Sequence, residues 1–505
     1  MDTELGTTFS EPVLMFPQFI KELERLDYQG SLIKLQNFSA LVGNQSWVNI
    51  HLAFEFHQSP KIIHKVLITR QALSCISKEI ILNCKKATLK LDDLELIKLA
   101  NEYENLIIDL HKMDSSSKDN WLWVLRATNL QHYYLRHPVM IIGRYYYLFQ
   151  VLLEKHPKFG EFLSKKIKLN LLDIFRIGCC IWGVLNLNKS FYKKNLLNGT
   201  VINLQSLLTE ANVDNFLKLF SITQKGFQKA SKKFTVKDDL LKKYEFNALK
   251  RYPIIKTNSR DEKEKYIIPS LGDFMYGFSE GLYYLLIDKI NDKQRENLFT
   301  IIGSVFENYI GQLINYYNVD LLSRGKLFSE QVYFREKKSK VKSADWILVS
   351  EEYIYQIECK KRKGDNYLKA GIDAADGKKG VNKALEDIAK NLDKLIKKEA
   401  DIKNNKIELI KYNNQKIINI IVYLDEMFSM NTYARAEIIK KMKNKGANFF
   451  ILGCHDFEIL CQMCRNNNSS LQQNILLFVQ GKIEVYQIDF LQEVFNTFYR
   501  TLKSE

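Results

Sequence analysis

The chain has 505 residues, 46% of them hydrophobic, enough for a large core, and this predicts two or three domains. Lys and Arg number 74 against 58 Asp and Glu, a formal net charge of +16 that favours a polyanionic partner, nucleic acid first and an acidic membrane surface second, although the Lys-, Asn- and Ile-rich composition of an AT-biased genome also raises this balance. Eight cysteines, and a start (1-MDTELGTTFSEP-12) without the basic flank and apolar run of a signal peptide, argue against a secreted disulfide framework and predict free thiols in the cytoplasm.

From the N-terminus, the apolar spacing predicts helices, as in 89-LKLDDLELIKLANEYENLIIDLHKM-113 and 140-MIIGRYYYLFQVLLEKH-156. Polar breaks at 114-DSSSKDN-120 and 186-NLNKSFYKKNLLNGT-200 separate them. The most apolar stretch, 171-LLDIFRIGCCIWGVLNL-187, carries Asp173 and Arg176 and is short for a membrane span, so a buried helix is expected and no membrane association. Residues 209–234 have the outline of a helix-turn-helix, but no residue enforces that geometry, and two packed helices are the expectation. The texture changes near residue 250. Two β-prone runs around a charged loop in 251-RYPIIKTNSRDEKEKYIIPSLGDF-274 predict a hairpin, and 281-GLYYLLIDKINDKQREN-297 a helix. Thereafter β-prone runs alternate with helices. The expected fold class is α+β overall, with a large all-α domain over 1–245, a hairpin and connecting helix over 246–295, and an α/β domain over 296–505.

Charge is placed unusually in 343-SADWILVSEEYIYQIECKKRK-363. If 345-DWILVS-350 and 353-YIYQIECK-360 form a hairpin turning at Glu351 and Glu352, Asp345 lies opposite Glu358 on one face, about 5 Å apart at Cβ. Lys360, two residues on, points the same way. Two carboxylates so close repel unless a cation lies between them, and a hard divalent ion such as Mg²⁺ favours such a pair completed by water and phosphate. A neighbouring lysine can orient water or hold charge developing on a phosphate. The arrangement suits metal-dependent phosphodiester hydrolysis; a surface ion pair is the plainer alternative. Upstream, the helix predicted over 298-LFTIIGSVFENYIGQLINYY-317 carries Glu307 off its apolar stripe, with Gly303 and Gly311 one turn to either side. Glycine inside a helix costs about 1 kcal/mol relative to alanine, so the pair implies a close approach to the sheet or to a nucleic-acid backbone.

These residues resemble the PD-(D/E)XK nuclease superfamily, the restriction-endonuclease-like enzymes. Their core order of helix, three strands, helix and strand (αβββαβ, mixed sheet) is matched here by 298–317, 329-SEQVYFR-335, 345–350, 353–360, a helix within 378–398 and 416-KIINIIVYL-424. The motif's acid falls on Asp345 and its ExK on Glu358, Cys359 and Lys360; Ala344 stands where many members have proline. The resemblance covers about residues 290–430, and 447-ANFFILGCHDFEIL-460, a strand running into a helix, extends it. It implies that Asp345, Glu358 and the backbone carbonyl of Cys359 bind Mg²⁺, with Mn²⁺ as a substitute. It further implies that Lys360 positions the water, Glu307 holds a second ion or metal-bound water, and Gln356 orients a phosphate or the metal shell. DNA is the implied substrate, and anti-phage defence in bacteria the implied setting, with the helical domain binding a protein partner or forming a homodimer. An RNA-cleaving toxin, or a nucleic-acid-binding subunit with a silent nuclease core, are the alternatives.

Basic runs flank the acids, 335-REKKSKVKS-343 before and 360-KKRKG-364 after. Lys338, Lys340, Lys342, Lys361, Arg362 and Lys363 are therefore the expected phosphate contacts, sequence-blind and salt-dependent. Cys461 and Cys464 form a CxxC at helical spacing beside Cys454 and His455, which predicts buried thiols rather than a zinc site. His132 and His137 are expected to be packing or surface residues. No GxxxxGK[ST] loop is present, which argues against an ATPase.

Overall fold

The computed structural model describes residues 16–42, 47–54, 62–84, 88–104, 138–188, 209–232, 242, 245–261, 264–319, 325–336, 339–361, 380–425, 434–444, 446–467, 470–474 and parts of 489–497. The chain divides into two compact units; of the described residues, those up to Asn291 and from Val494 onward belong to the first, and Asp292–Glu493 to the second.

The first unit opens with α1 (Phe16–Glu24) and α2 (Tyr28–Val42), followed by strands β1 (Trp47–Phe54) and β2 (Ile62–Thr69), paired antiparallel. These strands correct the expectation of an all-α region up to residue 245. The sequence signal is the two-residue alternation of 47-WVNIHLAF-54, with Val48, Ile50, Leu52 and Phe54 in step. Thr69 caps α3 (Arg70–Asn83), its hydroxyl accepting from the Ala72 amide at 3.0 Å. This helix is buried around most of its circumference, polar residues included. Lys78 is satisfied by Glu79 at 3.1 Å and Glu245 at 3.0 Å, and Ser74 by Asp273 and Asn247.

There follow α4 (Asp93–Glu104), α5 (Pro138–Lys155), α6 (Pro157–Ile167) and α7 (Leu171–Asn188). The last is the apolar stretch expected to be buried, and Leu171, Ile174, Phe175, Ile177 and Ile181 are indeed fully covered. Among the described residues no helix is long and apolar enough to cross a membrane. The region with a helix-turn-helix outline is α8 (Glu210–Phe220), strand β3 (Ser221–Thr223) and α9 (Gln224–Ser231). The strand replaces the turn, pairing in parallel with β4 (Ile254–Lys256), while α8 packs on α7 and α9 on α3. The expected hairpin is β4 and β5 (Tyr266–Ile267), joined through Ile255↔Ile267 and Lys256↔Tyr266. Helices α10 (Leu271–Phe278) and α11 (Glu280–Lys289) complete the unit's described core.

The second unit begins with α12 (Asp292–Tyr316), whose buried stripe includes Leu298, Ile302, Val305, Tyr309 and Leu313. Its strands are β6 (Lys326–Ser329), β7 (Val332–Glu336), β8 (Ser339–Lys342), β9 (Trp346–Val349), β10 (Tyr353–Lys360), β11 (Lys416–Tyr423) and β12 (Phe449–Gly453). Five of them form a mixed sheet in the order β12-β11-β10-β9-β6. The β6–β9 and β9–β10 pairs are antiparallel; β10–β11 and β11–β12 are parallel, so helix α13 (Val381–Lys403) lies between β10 and β11 as a crossover. Ile347, Ile354, Ile417 and Ile421 pack with Leu385, Ile388 and Leu392 of α13 in one core. Short α14 (Arg435–Lys441) precedes β12, and α15 (Cys454–Asn467) follows it directly.

The first sheet strand was expected over 329–335, and here the structure differs. The sheet uses Lys326–Ser329, and Val332–Glu336 instead pairs with Ser339–Lys342 in a separate two-stranded ribbon. Gln331 and Ser343 close the base of this ribbon. The Gln331 amide donates to Ser343 Oγ and the Ser343 amide to the Gln331 carbonyl, both at 2.8 Å. The β-prone residues 332-VYFR-335 mark a strand in sequence but do not say which neighbour it pairs with.

Candidate active site

The β9–β10 register is the one that the turn at Glu351 and Glu352 demands. Val349 faces Ile354, Leu348 faces Tyr355, Ile347 faces Gln356 and Trp346 faces Ile357. The Ser350 amide donates to the Tyr353 carbonyl at 2.8 Å and closes the turn. One step further along this ladder Asp345 comes opposite Glu358, just past the end of β9. There Asp345 Oδ2 accepts the Cys359 amide at 2.6 Å, so a side chain takes over where the strand pairing stops.

Glu358 is held by two lysines. Lys360 Nζ donates to Oε1 at 2.5 Å, and Lys398 Nζ donates to Oε2 at 3.2 Å and to the Ser343 carbonyl at 2.9 Å. Lys398 is not among the site residues that the sequence singles out. It lies on α13 three residues after Leu395 and four before Ile402, both buried, so a lysine inside the helix's apolar stripe was the available signal.

The two carboxyls titrate in opposite senses. Burial, then the negative charge of Glu358, pushes Asp345 up to about 7, against the hydrogen bond from the Cys359 amide. Burial works in the same direction on Glu358, but Lys360 and Lys398 outweigh it and hold that carboxyl below its ordinary range. Lys360 in turn stays charged: burial disfavours its ammonium, and Glu358 more than compensates. One acid poised near neutrality thus faces one acid held anionic.

Glu307 reaches this end of the sheet on α12. Its backbone carbonyl accepts Trp346 Nε1 at 2.8 Å. Gly311 makes that approach possible, since a Cβ there would lie 2.1 Å from the Trp346 ring. Burial and the Glu330 charge raise the Glu307 carboxyl, and its charge bears on Asp345. Gly303 leaves room for Lys361, whose Nζ lies 5.8 Å from the centre of the Phe299 ring. Lys361 therefore lies back along α12, and burial lowers its pKa.

Gln356 shares the face of Glu358 but is fully buried. Its amide donates to Asn419 Oδ1 at 2.9 Å and to the Leu395 carbonyl at 3.2 Å. That position supports β10 from below, and it corrects the expectation of a direct phosphate contact. Lys340 and Lys342 are exposed on the ribbon. Lys338, Arg362, Lys363, His132 and His137 lie outside the described residues. Cys454, Cys461 and Cys464 are buried thiols, and all eight cysteines are free.

Two hard carboxylates on one face, one of them pushed towards protonation by burial and then by the charge of the other, are donors of the type that Mg²⁺ accepts with water and phosphate filling the remaining positions. Among the described residues no three His, Cys, Asp or Glu side chains converge as metal ligands, so Glu307 does not join Asp345 and Glu358 in a three-carboxylate group. Comparison with known proteins returns no matching family model, no matching curated protein and no matching solved structure.

Proposed function

We propose that the chain is a Mg²⁺-dependent endonuclease of the restriction-endonuclease-like kind, hydrolysing phosphodiester bonds of DNA. The observation that carries this reading is the pairing of Asp345 against Glu358 at a strand end with Lys360 bonded to Glu358. Asp345, Glu358 and the Cys359 backbone carbonyl would hold the ion. Mg²⁺ when bound supplies positive charge to the phosphate under attack.

The protein's own groups do the rest. Lys360, charged and anchored, orients the attacking water and faces the developing negative charge. Lys398 acts as a positioning residue: it keeps Glu358 anionic and ties it to the backbone before Asp345. Glu307, on the neighbouring helix, orders water at the edge of the pair. Cutting both strands of a duplex calls for two such sites, which favours a homodimer or a protein partner held by the N-terminal unit. A cytoplasmic setting and a role in anti-phage defence belong to the same reading.

Purified protein with Mg²⁺ on plasmid DNA and on total RNA, beside Asp345→Ala and Lys360→Ala, tests it. Wild-type protein is expected to cut DNA, and each variant to lose at least 100-fold. Unchanged cutting by both variants would remove these residues from the mechanism, and cutting of RNA alone would replace the substrate.

A further inference from the structure

Five large hydrophobic side chains are exposed among the described residues, and two of them, Val332 at 62% and Phe334 at 56%, stand on the β7–β8 ribbon. A single exposed apolar residue needs no explanation, whereas two in step on one strand form a small apolar patch whose surroundings can be read. Val332 is paired with Lys342 and Phe334 with Lys340, so all four side chains share one face. Lys340 Nζ lies 5.6 Å from the centre of the Phe334 ring, and Lys342 bonds Glu330 at 2.8 Å.

The other face is held down. Buried Asp401 on α13 accepts Tyr333 Oη at 2.6 Å and Arg335 Nε and Nη2 at 2.8 and 2.6 Å. The ribbon's base is closed by Gln331 and Ser343, and the Ser343 carbonyl takes the same Lys398 ammonium that holds Glu358. Lys342 is three residues from Asp345, so their Cα atoms lie within about 11 Å of each other, and the Asp345 and Glu307 charges both act on the Lys342 ammonium.

We infer that the β7–β8 ribbon is a docking element for duplex DNA, with Phe334 and Val332 turned into a groove and Lys340 and Lys342 turned to the flanking phosphates. The inference rests on the nuclease reading of the adjacent site and assigns that site its substrate contact. Charge selects the occupant: Val332 and Phe334 each have a lysine directly across from them, and the acid beside this face, Glu330, is already bonded to Lys342. A two-stranded ribbon also has the width that the major groove admits. Lys342 exchanges Glu330 for a phosphate on binding, so Lys340 and Phe334 contribute most.

The test is binding of a fluorescein-labelled 20-base-pair DNA duplex with metal chelated, so that affinity is read without cleavage. Phe334→Ala and the Val332→Ala/Phe334→Ala pair are expected to lose roughly 5- to 30-fold in affinity, with unchanged thermal melts, since both side chains are exposed. The F334W variant is expected to change its emission on adding duplex beyond any change in wild type. Affinity within twofold of wild type, or an F334W signal no different from wild type, overturns the inference. So does a fall in self-association with DNA affinity retained, which makes the face a protein interface, or preference for an RNA duplex of the same sequence. Cleavage assays separate the two readings. Wild type that binds through Phe334 and never cuts overturns the nuclease but not the ribbon; wild type that cuts with Phe334→Ala binding normally does the reverse.

Discussion

Asp345 and Glu358 carry the same functional group at facing ends of two adjacent strands, and their surroundings drive them in opposite directions. The difference lies in the lysines: both bond Glu358, and Asp345 receives a single backbone amide. A carboxyl raised to about 7 in the folded protein and near 4 when unfolded ionises more readily in the unfolded chain. Its contribution therefore disfavours the fold increasingly as pH rises from about 4 to 7, and the penalty is full above that. Asp345→Asn removes the charge and keeps an oxygen for the Cys359 amide. In metal-free buffer at pH 8 this variant is expected to be more stable than wild type by roughly 2–4 kcal/mol, with little difference at pH 4, as read by urea denaturation. Equal stability at both pH values would mean that Asp345 is not strained by burial. The register behind this pair was legible in sequence, because a two-residue turn and a period of two leave one pairing. Lys398 was not, because it arrives on a helix forty residues later in the chain.

Among elements, the ribbon meets the crossover helix at Asp401, as well as at Lys398 and in the apolar core. Asp401 is 3% exposed and accepts from Tyr333 and Arg335, with Lys406 at 3.5 Å. Asp401→Ala leaves Arg335 without its anion and Tyr333 without its acceptor, which is expected to cost about 2–3 kcal/mol. Amide exchange should accelerate over 332–342 and stay slow in β10 and β11. Uniform acceleration across the sheet would show instead that Asp401 supports the whole unit. The same elements explain where the sequence reading slipped. β-Prone residues mark a strand within 329–335 but cannot say which neighbour it pairs with, and the Gln331–Ser343 bonds turn it away from the sheet. Conversely, the glycines flanking Glu307 did signal a close approach, and Gly311 meets Trp346 there.

For the whole molecule, the net charge of +16 is a statement about partners rather than fold. If the ribbon lysines meet phosphates, the salt dependence of DNA binding must record it. Each phosphate contact contributes about 0.9 to the slope of log affinity against log salt concentration. Lys340→Ala/Lys342→Ala is expected to lower that slope by nearly 2, whereas Phe334→Ala lowers affinity with the slope unchanged. An unaltered slope in the double variant would place the electrostatic contacts elsewhere on the chain.

Local pattern determined helices such as α5, α7 and α12, the β4–β5 hairpin, the β9–β10 register and the burial of Cys461 and Cys464, since each depends on periodicity or on a short turn that neighbouring residues enforce. Tertiary packing decided what local pattern leaves open. It set the partner of β7, drew Lys398 onto Glu358, buried Gln356 beneath the site and laid Lys361 along α12. The physical reason is common to all four. A side chain's direction follows from the backbone it is on, but what it meets there is supplied by a segment distant in sequence, and only packing brings the two together.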